Sequence, residues 1–349
     1  MSSRNNRPSA VALGCEGTVL TETERAFFRE ANPFGLILFA RNVGAPDELA
    51  RLIREFRECV GRPDAPVFVD QEGGRVARLR PPHWPALPAQ GLIGALWEKD
   101  PERARAAARL LGQAIAATVA PVGFDVACMP VADVRAPGAN EAVVGDRSFS
   151  ADSAIVAELA AIAEKSARET GMATTPKHAP GHGRAVVDSH HALPYVNASI
   201  PELLDDLRPF QALTEAPFWM TAHIVFEEID PGLPATMSTR CLEWLRAETG
   251  YRGLIVSDDL AMNALAGAVE ARAATARAAG CDLLLYCPGD AAGSAAAVAG
   301  AGPADDRLIE AWDRWTQARP KTPQLDAFHI AAELWALVEG GAPRPAASV

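Results

Sequence analysis

The stretch GLILFARNVGAPDELARLIREFRECVGRPDAPVFVDQ (35–71) decides how the chain is read. It opens on a short apolar run, GLILFAR (35–41), and then enters DELARLIREFRECV (47–60). In that segment Leu49, Leu52, Ile53, Phe56 and Val60 recur on one face at helical spacing. A second apolar run, APVFVDQ (65–71), follows. Strand, amphipathic helix and strand in succession imply that the two strands pair in parallel.

The alternation continues outward. VALGCEG (11–17) precedes the stretch, and DVACMPVADV (125–134), MATTPKH (172–178), FWMTAHIVF (218–226), GLIVSDD (253–259) and DLLLYC (282–287) follow it. Between them lie Ala- and Arg-rich helical patterns, among them 102–119, 150–171 and 202–216, with Ser150 and Gly171 as expected caps of the second. Eight strand–helix units predict a single-domain α/β fold, a (β/α)8 barrel of TIM type over residues 1–340, with 288–338 as closing helices and 341–349 as a disordered tail. A doubly wound open sheet is the alternative. It would be favoured by a glycine-rich first turn, and GCEGTVL (14–20) is not a GxGxxG.

Composition narrows the class. The 349 residues are 49% hydrophobic and 22% charged, ordinary for a soluble globular enzyme. A net charge of −11 without a basic run argues against binding nucleic acid or an anionic membrane surface. No apolar stretch reaches the length of a membrane span, and the N-terminal residues lack the apolar core of a signal peptide. Six scattered cysteines with no CxxC pair read as reduced core thiols and a cytoplasmic location.

Barrel enzymes carry their chemistry at the C-terminal ends of the strands. Asp70 closes the third run, Lys177 and His178 the fifth, and Asp258 and Asp259 the seventh, while His223 lies in the sixth. Each alone is as well explained by a cap or a structural ion pair; their convergence on one rim is what suggests a site. In GLIVSDD, positions 254, 256 and 258 share one face and 255, 257 and 259 the other. Asp258 and Asp259 therefore cannot both face one reacting atom, and Asp259 reads as a supporting group or a cap of the next helix.

Four of the seven histidines fall in KHAPGHGRAVVDSHHALP (177–194). The loop from 179 to about 199 is long for such a connection, and the glycines flanking His182 predict a deformable loop that delivers a group once substrate has arrived. Two chemistries compete there. A metal site is poorly served, because Pro180 and Gly181 break the helix that would align His178 with His182, and no cysteine is near. Proton transfer fits better. On an extended segment Asp188 and His190 share a face, so the carboxylate can fix the tautomer of an imidazole that exchanges a proton.

VDQEGGRVAR (69–78), GDRSF (145–149), KHAPGHGRAVVDSH (177–190) and GLIVSDDLAM (253–262) resemble the signature segments of glycoside hydrolase family 3. The closer similarity is to its bacterial β-N-acetylglucosaminidases of cell-wall recycling, from about residue 10 to 290. The resemblance implies a retaining exo-glycosidase that removes terminal N-acetylglucosamine from GlcNAc-1,6-anhydro-MurNAc muropeptides. It makes Asp258 the nucleophile, His190 the acid/base with Asp188 as its partner, and Asp70, Arg78, Arg147, Lys177 and His178 the substrate-binding residues. It implies no cofactor and no metal. The expected partners are a small carbohydrate or muropeptide, with no nucleic acid and no membrane, and the chain is expected to be a monomer or weak homodimer. Ala179 stands where the family often has an aromatic or aliphatic residue. A phosphorylase using the same covalent intermediate, a broader β-glycosidase, and a non-catalytic sugar-binding barrel are the other readings.

Overall fold

The computed structural model describes residues 7–138, 141–189, 191–321 and 323–340; the expected tail at 341–349 lies outside the described residues. Eight strands form the barrel: β1 (Ser9–Leu13), β2 (Pro33–Leu38), β3 (Val67–Val69), β4 (Val126–Ala127), β5 in two pieces (Ala173–Thr174 and Lys177–Ala179), β6 (Phe218–Thr221), β7 (Leu254–Asp259) and β8 (Leu283–Tyr286). Each is followed by a helix: α1 (Glu22–Ala31), α2 (Pro46–Val60), α3 (Pro101–Val119), α4 (Ser153–Glu169), α5 (Ile200–Gln211), α6 (Thr239–Thr249), α7 (Val269–Ala279) and α8 (Ala291–Ala301).

All neighbouring barrel strands are parallel. β1 pairs with both β2 and β8, as in Val11 opposite Leu284 and Leu13 opposite Leu36. The first piece of β5 pairs with β4 and the second with β6. The sheet therefore closes through the two halves of one strand, which excludes the open doubly wound alternative. Pro176 marks the split, since proline brings no backbone donor to a ladder.

Several strands are shorter than the apolar runs suggest. Of 125–134 only Val126–Ala127 is laddered; beyond Pro130 the pairing is reduced to a single parallel bridge between Val131 and Lys177. Of 218–226, Phe218–Thr221 stays in the barrel, and Val225–Phe226 pairs with Tyr195–Val196 in a separate two-stranded ribbon. Ser150 does not cap α4. Asp152 does, accepting the amides of Ala154 and Ile155, where a carboxylate also suits the positive end of the helix dipole. Gly171 follows the Thr170 cap with φ of +86°, the left-handed turn glycine makes at least cost.

Two further helices follow, α9 (Asp306–Ala318) and α10 (Ala327–Glu339); α10 packs along α3. α9 crosses the base of the barrel. Arg307 at its start pairs with Asp282, immediately before β8, and Arg319 just past its end pairs with Asp125, immediately before β4. Strands four and eight of an eight-stranded barrel lie opposite each other, so α9 spans the floor. Trp312 from its middle packs 5.9 Å from Phe218, which meets Phe68 edge to face at 5.5 Å inside the barrel. Burial of these rings stabilises this end together with the ion pairs.

Candidate active site

The polar residues of the upper rim are connected before any ligand is considered. Asp70, one residue past β3, accepts Lys177 Nζ at 2.6 Å on one oxygen and Arg78 Nη2 at 2.8 Å on the other. Glu72 lies two residues further and is almost fully buried. It takes Arg147 by two bonds of 2.8 Å and Lys177 Nζ at 2.7 Å. Arg78 also stacks over Phe39, 5.1 Å from the ring centre. Burial opposes the charges on both carboxylates, but the cations outweigh it. Lys177 and Arg78 hold Asp70 well below its ordinary value, and Arg147 and Lys177 hold Glu72 down at about 2. Lys177 is raised in turn, its own burial overcome by Asp70 and Glu72. The cluster is an ionic lattice that fixes three long side chains which would otherwise sample many rotamers.

A second network hangs on Asp133, beyond β4 and fully buried. Its Oδ2 meets His178 Nδ1 at 2.8 Å, and its Oδ1 accepts the amides of His178 at 3.0 Å and His182 at 2.7 Å. With Nδ1 held by a carboxylate, Nε2 of His178 is the nitrogen turned toward the cavity, 3.5 Å from Arg147 Nη2. Lys177 and His178 both line that cavity, and the peptide bond between them is cis.

At the end of β7 the two aspartates differ. Asp258 Oδ1 accepts the amide of Asp259 at 2.8 Å, and no other hydrogen bond to its carboxylate is present among the described residues. Burial would raise it, but His223, His178, the Asp259 amide and Lys177 together hold it below its ordinary value. Asp259 Oδ1 accepts the amides of Ala261 at 2.9 Å and Cys287 at 3.1 Å, and burial raises its carboxyl. Asp259 therefore caps the turn after β7 and ties it to the end of β8. It does not cap the following helix, whose N-cap is Ala268. His223, also pushed down by burial, is spent on Thr236 at 2.7 Å and the Asp259 carbonyl at 3.0 Å.

These groups surround a cavity of about 280 Å³, near the small end of the ~300–1,000 Å³ typical of ligand pockets. Asp70, Arg78, Arg147, Lys177, His178, Asp188 and Asp258 all line it. His190 lies outside the described residues. The premise that Asp188 sits on an extended segment does not hold: its carbonyl accepts the amides of His191 and Ala192, so the chain turns there. Nor do the two glycines simply loosen the loop. A Cβ on Gly183 would fall 1.7 Å from the Val134 carbonyl, and Gly181 has φ of +149° against Asp206, so both glycines permit close packing of the loop's root. Glu72, Asp133 and Ser189 escaped the sequence reading. Asp133 carried the same signal as Asp70, a carboxylate closing an apolar run.

Among the described residues no three His, Cys, Asp or Glu side chains converge in a way that could hold a metal ion, and no helix is long and apolar enough to cross a membrane. All six cysteines are free. The glycosyl hydrolase family 3 N-terminal domain matches residues 16–311.

The chain belongs to glycosyl hydrolase family 3.

It is a glycoside hydrolase. A β-hexosaminidase from Bordetella avium is 38% identical over 286 residues, 80% of this chain and 81% of that protein. One from Alkalilimnicola ehrlichii is 40% identical over 281 residues, 79% of each. Native NagZ from Neisseria gonorrhoeae superposes with a TM-score of 0.83 at 31% identity, covering 96% of this chain and 98% of that one.

Proposed function

We propose that this family 3 chain is a retaining exo-β-N-acetylglucosaminidase acting on GlcNAc-1,6-anhydro-MurNAc muropeptides in the cytoplasm. One observation carries the reading. Asp258, held below its ordinary value with one carboxylate oxygen uncommitted among the described residues, faces a small cavity lined by Asp70, Arg78, Arg147, Lys177 and His178. The similarity to β-hexosaminidases and to NagZ supports the choice of sugar.

In this mechanism the free oxygen of Asp258 attacks the anomeric carbon as the glycosidic bond breaks. His190 gives its proton to the departing oxygen, and a covalent glycosyl-enzyme forms. Water then attacks the same carbon, His190 takes its proton, and Asp258 is released. Asp188 steadies the imidazolium. Asp70 uses two of its roughly four acceptor positions on Lys177 and Arg78, which leaves the others for sugar hydroxyls.

The test is a panel of aryl β-glycosides with the released anomer followed by NMR. Release of the β-anomer of N-acetylglucosamine is expected, and labelling by a 5-fluoro glycosyl probe should fall on Asp258. The α-anomer as first product, or a label elsewhere, overturns the assignment. Adding inorganic phosphate separates hydrolysis from phosphorolysis, since sugar-1-phosphate would mark the latter. Cleavage of purified GlcNAc-1,6-anhydro-MurNAc, with and without peptide, tests the substrate.

A further inference from the structure

The loop leaving β5 is tied down at one residue in two directions. Ser189 is buried and lines the cavity. Its carbonyl accepts the amide of Ala264 at 3.1 Å, from the loop that follows Asp258. Its hydroxyl lies 3.2 Å from His182 Nε2. His182 is itself fixed. Its amide donates to Asp133, its ring stands edge to face on that of His178 at 5.5 Å, and only 3% of the residue is exposed. Its Nδ1 is buried without a partner among the described residues. A buried lone pair is tolerated better than a buried orphan N–H. The ring proton therefore belongs on Nε2, where it is donated to Ser189 Oγ. Burial first, and then His178, push His182 down to about 4, so the ring is neutral over the range in which such an enzyme works.

We propose that His182 is a positioning residue of the reaction: it tethers Ser189 and so sets where the adjoining Asp188 and His190 meet the substrate. This rests on the reading of His190 as the acid/base. The contact is not one of the bonds that hold the binding groups, which lie on Glu72 and Asp133. Asp133 nonetheless anchors both parts, orienting His178 toward the cavity and fixing the amide of His182. Its loss should therefore damage binding and loop placement together, whereas loss of the Ser189 hydroxyl should touch placement alone.

The experiment compares the full-length wild type with Ser189→Ala, Ser189→Thr, His182→Gln, the Ser189→Ala/His182→Gln double variant and His190→Ala. The substrates are an alkyl and a dinitrophenyl β-N-acetylglucosaminide. Ser189→Ala should lower kcat/KM roughly five- to tenfold on the alkyl substrate, the scale of one neutral hydrogen bond, and less than about twofold on the dinitrophenyl one. Inhibition by N-acetylglucosamine should be unchanged, Ser189→Thr should recover most of the loss, and the double variant should lose little more than Ser189→Ala. Equal losses on both substrates, or a double variant whose losses multiply, overturn the tether. If His190→Ala shows the leaving-group bias and Ser189→Ala does not, only the tether fails. A His190→Ala variant without the bias overturns the reading of His190 and the tether with it.

Discussion

Both ends of this barrel carry carboxylates next to strands, and they are built differently. At the floor, Asp125 and Asp282 each precede a strand, each accept two arginines from different places, and each take an amide from the neighbouring strand. Asp125 binds Arg57, Arg319 and the Val67 amide. Asp282 binds Arg246, Arg307 and the Ile255 amide. Both oxygens of each are engaged, and three of the roughly four acceptor positions are filled from within the protein. At the upper rim Asp258 takes, among the described residues, a single neighbouring amide and faces a cavity. A charged residue at a strand end is thus not a site in itself. What distinguishes the rim is a carboxylate with unused acceptor capacity beside a space that a ligand can fill.

The largest expected effect separates the two ends outright. Asp258→Ala should reduce kcat by roughly a thousandfold or more while leaving the melting temperature near that of the wild type. Asp282→Ala should do the reverse. It strands Arg246 and Arg307 and should cost about 3 kcal/mol, toward the low end for a buried pair because Arg307 is 45% exposed, with kcat of the folded protein retained. Denaturant midpoints and kcat on the same samples check both. A stable, active Asp258→Ala, or an Asp282→Ala that unfolds no more readily than wild type, would erase the distinction.

The rim cluster occupies a middle position, since it is ionic like the floor and binds substrate in the proposed mechanism. Glu72 is held at about 2, below the ~4.3 of an unfolded chain. A depressed carboxylate stabilises the fold fully above the unfolded value and loses that contribution as the pH falls toward the folded one. Stability should therefore decline from about pH 4.5 down to about 2. Glu72→Gln should lower stability at pH 7 by about 3 kcal/mol and flatten that acid slope, while raising KM through loosened Arg147 and Lys177. Urea midpoints measured across pH 2–7 decide it; a slope as steep in Glu72→Gln as in wild type would place the acid lability elsewhere.

The same contrast explains what could be read from the sequence. Alternating apolar runs and helical faces sufficed for the barrel, because local periodicity reports which side of each element meets the core. The strand ends were harder, since Pro130 and Pro176 interrupt ladders inside apolar runs. α9 read only as one of several closing helices. That it floors the barrel depends on Arg307 and Arg319 finding aspartates on opposite strands, which no local pattern encodes. At the rim, Asp70, Lys177 and Asp258 were visible as charges that end strands. Glu72 was not singled out, because its meaning lies in Arg147 and Lys177, far away in the chain, whereas Asp133 ends an apolar run as Asp70 does and was passed over. The glycines around His182 also have a reason that no local pattern shows, the Val134 carbonyl and Asp206 packed against them from distant parts of the chain.

The smallest expected effect is the finest test of the comparison, because it sets two adjacent aspartates against each other. Asp259 is committed like the floor carboxylates, with Oδ1 bonded to the amides of Ala261 and Cys287, yet among the described residues no cation pairs with it to offset its burial, and its carboxyl is raised. An asparagine keeps an oxygen for both amides and removes a charge that sits beside Asp258. Asp259→Asn should shift the melting temperature by no more than about 2 °C, under ~1 kcal/mol, and change kcat/KM by less than about threefold. Asp258→Asn, an equally small change one residue away, should lose roughly a thousandfold or more because an amide cannot serve as the nucleophile. The two variants make the same change of volume and charge, so differential scanning fluorimetry and kcat/KM on an aryl N-acetylglucosaminide report which carboxylate is spent inside the protein. Comparable losses in both would mean that strand alternation does not select the reacting group, and that the acceptors on Asp259 are part of the chemistry.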